Sequence, residues 1–324
     1  MSQTSGRRVL VTGGAGFIGA NLARRLVSEP GITRVRILDD FSSGCRSNLD
    51  DLKLELYEGS ILHEDTLDEA AAGCTNIVHL AAVPSVPRSI ADPVRSHEAN
   101  ATGTLRVLEA ARRHGNVHVA LASSSSVYGS NPRLPKSEDL QCQPMSPYAV
   151  SKLAGEQYAM AYAKCYDLPV MPFRFFNVYG PMQLAGHAYA AVIPAFVEAA
   201  LTGKALQVHG DGLQTRDFTY VNTVVDVLTQ TVIGDLVGSP TNLAYGTRTS
   251  LLQVAEMLRL VTGADLRIEF LPSRSGDVHD SQASSAKLRA LCPAARPTHL
   301  DDGLRATAAW MATALSVPPR PWSV

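Results

Sequence analysis

The sequence predicts an α/β fold, a doubly wound parallel sheet with a smaller C-terminal lobe, on three observations. Short, near-continuous apolar runs alternate with helix-length segments through the first half. A glycine-rich turn joins the first apolar run to the first helical segment. From about residue 177 the alternation gives way to a texture richer in Gly and Pro, as at Gly180-Pro181, Gly203, Gly210 and Gly212.

Val9–Val11, Val35–Leu38, Leu54–Tyr57, Ile77–Leu80 and Val117–Ala122 read as buried strands. Ala20–Leu26 and Thr104–Arg113 carry helical spacing. Later, Val224–Ile233 reads as a helix and Asn242–Ala244 as a strand. These place a Rossmann-type domain over 1–176, rejoined by elements near 217–245, and a substrate-binding lobe over 177–324.

The chain has 324 residues, 45% hydrophobic and 18% charged, enough apolar material for a sizeable core. A formal net charge of -1 offers no basic field for nucleic acid or an anionic membrane. Five scattered cysteines with no C-x-x-C pair argue against a zinc site or a disulfide framework and fit a reducing cytosol. Met1 to Gly6 lacks the apolar stretch of a signal peptide, and no run approaches the ~18 apolar residues of a membrane span. A soluble, cytoplasmic protein without a metal is expected.

Thr12-Gly13-Gly14-Ala15-Gly16-Phe17-Ile18-Gly19 follows a strand and opens a helix. Glycines at 13, 16 and 19 let the backbone approach a pyrophosphate seated on the helix N-terminus. The second strand ends in Asp39, about 20 residues on, where a carboxylate holds an adenosine ribose and repels a 2′-phosphate. NAD is therefore expected over NADP. Asp40, Phe41, Ser42, Ser43 and Gly44 line the adenosine or simply form the loop.

Tyr148 and Lys152 fall four apart at a predicted helix start, with Pro147 suited to the first turn. That spacing puts both side chains on one face. An ammonium beside a phenol stabilises phenolate, so Tyr148 is expected to titrate below its ordinary value of about 10 and to act as a base. Upstream, Ser123-Ser124-Ser125-Ser126 ends the fifth strand at the sheet's carboxyl edge, where open sheets place ligands. A hydroxyl there suits proton relay to Tyr148, though composition does not choose among the four.

With these motifs, His79-Leu80-Ala81-Ala82, Asn100 and Arg174-Phe175-Phe176-Asn177-Val178-Tyr179-Gly180-Pro181, the chain resembles the extended short-chain dehydrogenase/reductases, and within them the UDP-hexose 4-epimerases, over nearly its whole length. The resemblance implies bound NAD held by Gly13, Gly16, Phe17, Ile18, Gly19 and the 39–44 loop, then by Ser60, Ile61, Leu80, Ala81, Ala82, Asn100, Ser123, Tyr148, Lys152 and Phe176. The family usually has Asp where Ser60 stands. Ser124 matches the catalytic Ser/Thr, Tyr148 the base and Lys152 its partner.

In the second half, the resemblance makes Arg216 and Arg274 diphosphate ligands and Asp277 a ribose ligand, a use suited to the permanently charged guanidinium fork. Gln207 and His209 fall at the uracil, and Asn177, Ala191 and Val192 at the substrate, as do Ser85 and Ser125. Ser281 occupies the position that sets room around the sugar C2 substituent, and residues 186–194 resemble epimerases of N-acetylated sugars. A glucuronate-specific enzyme would present Arg where Leu184 stands. Dehydratases of this scaffold need Asp-Glu after the catalytic hydroxyl, and decarboxylases a Glu; Ser125-Ser126 supply neither. A nucleotide-sensing module commonly lacks the Tyr or Lys retained here. The helices near Pro93–Arg113 and Pro147–Tyr166 match those that pair in the family's homodimers.

Overall fold

A computed structural model describes residues 6–185, 191–273 and 279–316. In chain order the first half runs β1 (Arg7–Thr12), α1 (Phe17–Val27), β2 (Ile32–Asp39), β3 (Glu55–Glu58), α2 (Glu64–Ala71), β4 (Asn76–His79), α3 (Val86–Ala91), α4 (Pro93–His97), α5 (Gly103–Arg113), β5 (His118–Ser124), α6 (Pro147–Tyr166) and β6 (Val170–Phe175). The second half adds β7 (Val178–Tyr179), α7 (Val192–Thr202), β8 (Leu206–His209), β9 (Thr215–Arg216), β10 (Thr219–Tyr220), α8 (Val221–Gly234), β11 (Thr241–Leu243), β12 (Thr249–Ser250), α9 (Leu251–Thr262), β13 (Ile268–Leu271), α10 (Ala286–Leu291) and α11 (Leu300–Ser316).

Seven strands form one sheet in the order β11-β6-β5-β4-β1-β2-β3, every neighbouring pair parallel. The winding reverses between β1 and β4, so the loops after these two strands flank a crevice at the carboxyl edge. Alternation along β1 splits the core into two layers. Val9 and Val11 pack into one with Leu22, Val224 and Leu228; Leu10 packs into the other with Leu67, Leu108 and Ala159. Burying a side chain such as Leu10 contributes about 2 kcal/mol. β11 joins this sheet beside β6, and α8 packs against α1. The remaining strands form two-stranded ribbons, β7 with β10, β9 with β12 and β8 with β13.

The five predicted strands of the first half coincide with β1 to β5 within two residues at most ends. The helix expected over 93–113 is continuous but not uniform: Glu98–Thr102 widens into a π turn between α4 and α5. Its wider ring is stapled by the Thr104 hydroxyl, which donates to the Asn100 carbonyl at 2.6 Å. α6 starts as its residues predict, Ser146 accepting from the Ala149 amide behind Pro147, and stops at Asp167 in the left-handed region. Among the described residues no helix is long and apolar enough to cross a membrane.

Candidate active site

The turn after β1 is built to expose backbone. Gly13 sits at φ +71, and a Cβ there would lie 2.6 Å from the Ala81 amide nitrogen of the loop after β4. A Cβ on Gly19 would strike the Gly13 carbonyl, so helix and turn pack only through glycine. Gly16 caps α1 with no side-chain hydrogen bond, leaving the first-turn amides to an outside acceptor. Asp39 is buried at the end of β2 and accepts from the Ala15 and Phe41 amides at 2.8 and 2.9 Å. Burial pushes its carboxyl up, against those two amides. The residues present thus fit a dinucleotide, with a glycine cradle and open helix end for the diphosphate and a fixed carboxylate for a ribose. Gly44 is pressed on Ala15, and Asp40 accepts from the Ser42 amide, which closes the 39–44 loop under the cradle. Ser60 turns its hydroxyl to the Leu62 amide and Ile61 is buried against Gly103.

A directional hydrogen-bond chain crosses the crevice. The Thr104 hydroxyl donates to Asn100, so it must accept from His79 Nε2 at 3.0 Å. His79 is then the Nε2–H tautomer, and its Nδ1 accepts from the Thr12 hydroxyl at 2.7 Å. Thr12 Oγ1 in turn accepts from the Ala81 amide. Burial, helped by Lys152, pushes His79 down to about 3, so the ring is neutral. Beyond the chain, the Asn100 side chain accepts from the Val83 amide and donates to its carbonyl and to Ser151 Oγ, and Ser151 donates to the Tyr148 carbonyl. The nucleotide turn and the helix of Tyr148 are therefore mechanically joined. Leu80 and Ala82 flank Ala81 in the same part-buried loop.

The structure separates the serines. Ser123 donates to Glu156 at 2.8 Å, so its hydroxyl faces the core, and cofactor contact would fall to its backbone. Ser124 accepts from both the amide and the hydroxyl of Ser126, and its own hydroxyl lies against the Tyr148 oxygen. Ser125 is half-buried in the turn between them. Lys152 is buried and donates from Nζ to the Ala122 carbonyl at 2.9 Å. Burial pushes its ammonium down to about 8. Tyr148 departs from expectation: burial holds the phenol above its ordinary range, and the Ser124 hydroxyl offsets this only in part. The expected lowering took account of the lysine and not of desolvation in the crevice.

Below this triad lies a pair the sequence reading missed. Glu156 and Arg174 are bonded twice, at 2.6 and 3.0 Å, with side chains 0% and 5% exposed. Arg174 also donates to Tyr128, which donates to Asn242 of β11. The available signal was Glu156 at one more step of four past Tyr148 and Lys152. Phe176 is fully buried beside Tyr128, its ring centroid 6.3 Å away.

In the second half, Gln207 and His209 share one face of β8, with Val208 buried between them, and His209 Nδ1 meets the Pro272 carbonyl. Arg216 donates to the Thr215 and His279 carbonyls. The Ser281 amide bonds the Thr215 carbonyl, which brings Ser281 beside Arg216. Asn177 donates to the Asp217 carbonyl. The Asp217 carboxylate, also missed, accepts from the amides of Gly246, Thr247 and Ala283 and from the Thr247 hydroxyl. Asn177 and Ser281 are thus brought to the Thr215–Asp217 segment that carries Arg216 by bonds to its backbone carbonyls. Ala191 caps α7 and Val192 opens it; Ser85, at φ +99, caps α3. Arg274, Asp277 and the stretch 186–190 lie outside the described residues.

The sequence profile of the NAD dependent epimerase/dehydratase family matches residues 9–232. The UDP-glucose 4-epimerase of Mycolicibacterium smegmatis is 38% identical over 87% of this chain and 91% of its own. The UDP-N-acetylglucosamine 4-epimerase of Methanobrevibacter ruminantium M1, solved with UDP-N-acetylmuramic acid, superposes with TM-score 0.90 at 32% identity, covering 96% of this chain and 99% of its own. The UDP-glucuronic acid 4-epimerase of Bacillus cereus, solved with UDP-glucuronic acid and NAD, gives TM-score 0.87 at 30% identity, covering 95% and 99%. The chain belongs to the NAD-dependent epimerase/dehydratase family, whose members act on nucleotide sugars.

Proposed function

We propose that the protein is a 4-epimerase of a UDP-hexose, and the Ser124–Tyr148–Lys152 cluster without an adjacent carboxylate carries that reading. NAD, when bound by the glycine turn and Asp39, supplies reversible hydride acceptance at the sugar C4. The chain's own task is the proton. Tyr148 takes it from the 4-hydroxyl and returns it to the epimeric hydroxyl, with Ser124 as the relay aligned by Ser126. Because burial favours the neutral phenol, the phenolate needs a compensating charge, and Lys152 is the cation on its helix face. Elimination or decarboxylation would call for a carboxylate after Ser124, where Ser125 and Ser126 stand.

The half of the chain after 177, apart from 217–245, is read as the substrate lobe. Arg216 would hold the diphosphate, joined by Arg274 and by Asp277 at the ribose, with Gln207 and His209 at the uracil. Leu184 and the small Ser281 favour a neutral or N-acetylated hexose over a glucuronate. One pocket side chain discriminates by only about 1–3 kcal/mol, so activity on both is consistent with the site. Exposed Val94 and Val150 line a shared groove between α4 and α6, which supports pairing with a second copy.

Tyr148→Phe tests the reading. Turnover of a UDP-hexose should fall at least about a thousandfold with the circular dichroism spectrum and melting temperature unchanged. A folded variant that turns over at the wild-type rate would sink the scheme.

A further inference from the structure

A cavity of about 320 Å³ opens between the 39–44 loop, at Ser42 and Ser43, and the segment from Val83 through α4. Arg88 and Arg95 line it, and neither guanidinium has an ion-pair or hydrogen-bond partner among the described residues. Asp92, the carboxylate in the lining, is engaged as the cap of α4 by the Arg95 amide. None of the glycines of the nucleotide turn borders this space. It is nonetheless fixed to the cofactor crevice on both sides, through Ser42 next to the Asp39 turn and through Val83, which Asn100 clamps. Two guanidiniums without a partner among the described residues, lining one space with two serines, make an environment for a doubly charged oxyanion, since each fork donates to paired oxygens.

We propose that this cavity takes a phosphoryl group, with Arg88 and Arg95 supplying charge and Ser42 and Ser43 hydrogen bonds. The inference rests on the reading of the 39–44 loop as part of the NAD crevice. Two sources fit the chemistry: the outer oxygens of the dinucleotide's own diphosphate, or a separate phosphate-bearing ligand bound beside it.

Wild type and Arg88→Met/Arg95→Met are compared in two titrations. NAD is titrated into NAD-stripped protein by calorimetry at low and high chloride, and inorganic phosphate into NAD-loaded protein with thermal unfolding as the readout. The proposal expects the double variant to lose about tenfold in one of the two affinities, with a flatter salt dependence. Loss of NAD affinity assigns the phosphoryl group to the cofactor. Loss of the phosphate-induced shift with NAD affinity intact assigns it to a separate ligand. Unchanged affinities in both arms overturn the proposal. Wild type that takes up no NAD would overturn the reading of the crevice instead, and the phosphate titration, run on the unloaded wild type and double variant, would then decide this one.

Discussion

At the residue scale, burial moves Tyr148 and Lys152 in opposite senses from their ordinary values, the phenol up and the ammonium down. Lys152 loses its proton as pH rises through about 8, and with it the charge that stabilises the phenolate. We expect kcat/KM to fall above that pH in the wild type, and in Lys152→Arg the falling limb to move upward or vanish, since guanidinium stays charged. A pH–rate profile of the two proteins checks this; superimposed limbs would contradict it. His79 provides a second titration. Its folded value of about 3 lies below the ordinary 6.5, so the unfolded chain binds the proton first as pH falls. Stability is full above about 6.5 and is lost progressively toward 3, by on the order of 3 kcal/mol at pH 4. Denaturant titrations of His79→Gln should show a flatter acid limb than wild type. The pairing of Tyr148 with Lys152 was legible from their spacing. The sign of the tyrosine shift was not, because desolvation depends on which residues close the crevice, and those come from distant segments.

At the element scale, α6 carries three functional turns on one face: Tyr148, Lys152 and Glu156. Glu156 anchors the helix to β6 through Arg174 and to the end of β5 through Ser123, so the serine turn and the tyrosine share one buried footing. Glu156→Gln leaves a buried guanidinium without its counter-charge and should cost about 3 kcal/mol in chemical unfolding. Arg174→Met/Glu156→Met should lose far less, because the isolated charge is gone. Strand positions were readable from apolar runs, since both faces of a parallel sheet are covered. The π turn at Glu98–Thr102 was not, because a one-residue widening leaves the helical spacing of α5 intact and is decided by Thr104 bonding Asn100. The short ribbons of the second half also escaped, as strands of two to four residues are too short to carry a clear periodicity.

At the scale of the molecule, the strand order places the glycine turn after β1 and the Ala81 loop after β4 on opposite sides of one crevice. The serine turn after β5 and the start of α6 close its far end, and the hydrogen-bond chain through Thr12, His79, Thr104 and Asn100 ties the two ends together. The cofactor half was legible because its motifs are local in sequence. The second half was legible chiefly through resemblance, because Asn177, Arg216 and Ser281 are far apart in the chain and are brought together through Asp217 and Thr215. The central claim is reversible inversion at C4 with no net redox change. Proton NMR of the purified protein with UDP-glucose or UDP-N-acetylglucosamine, without added NAD, tests it most directly. The account predicts growth of the galacto-configured product to a fixed equilibrium ratio from either side, with no NADH accumulating at 340 nm. Loss of the C6 hydroxyl, stoichiometric NADH release, or an unchanged spectrum with every UDP-hexose would contradict it.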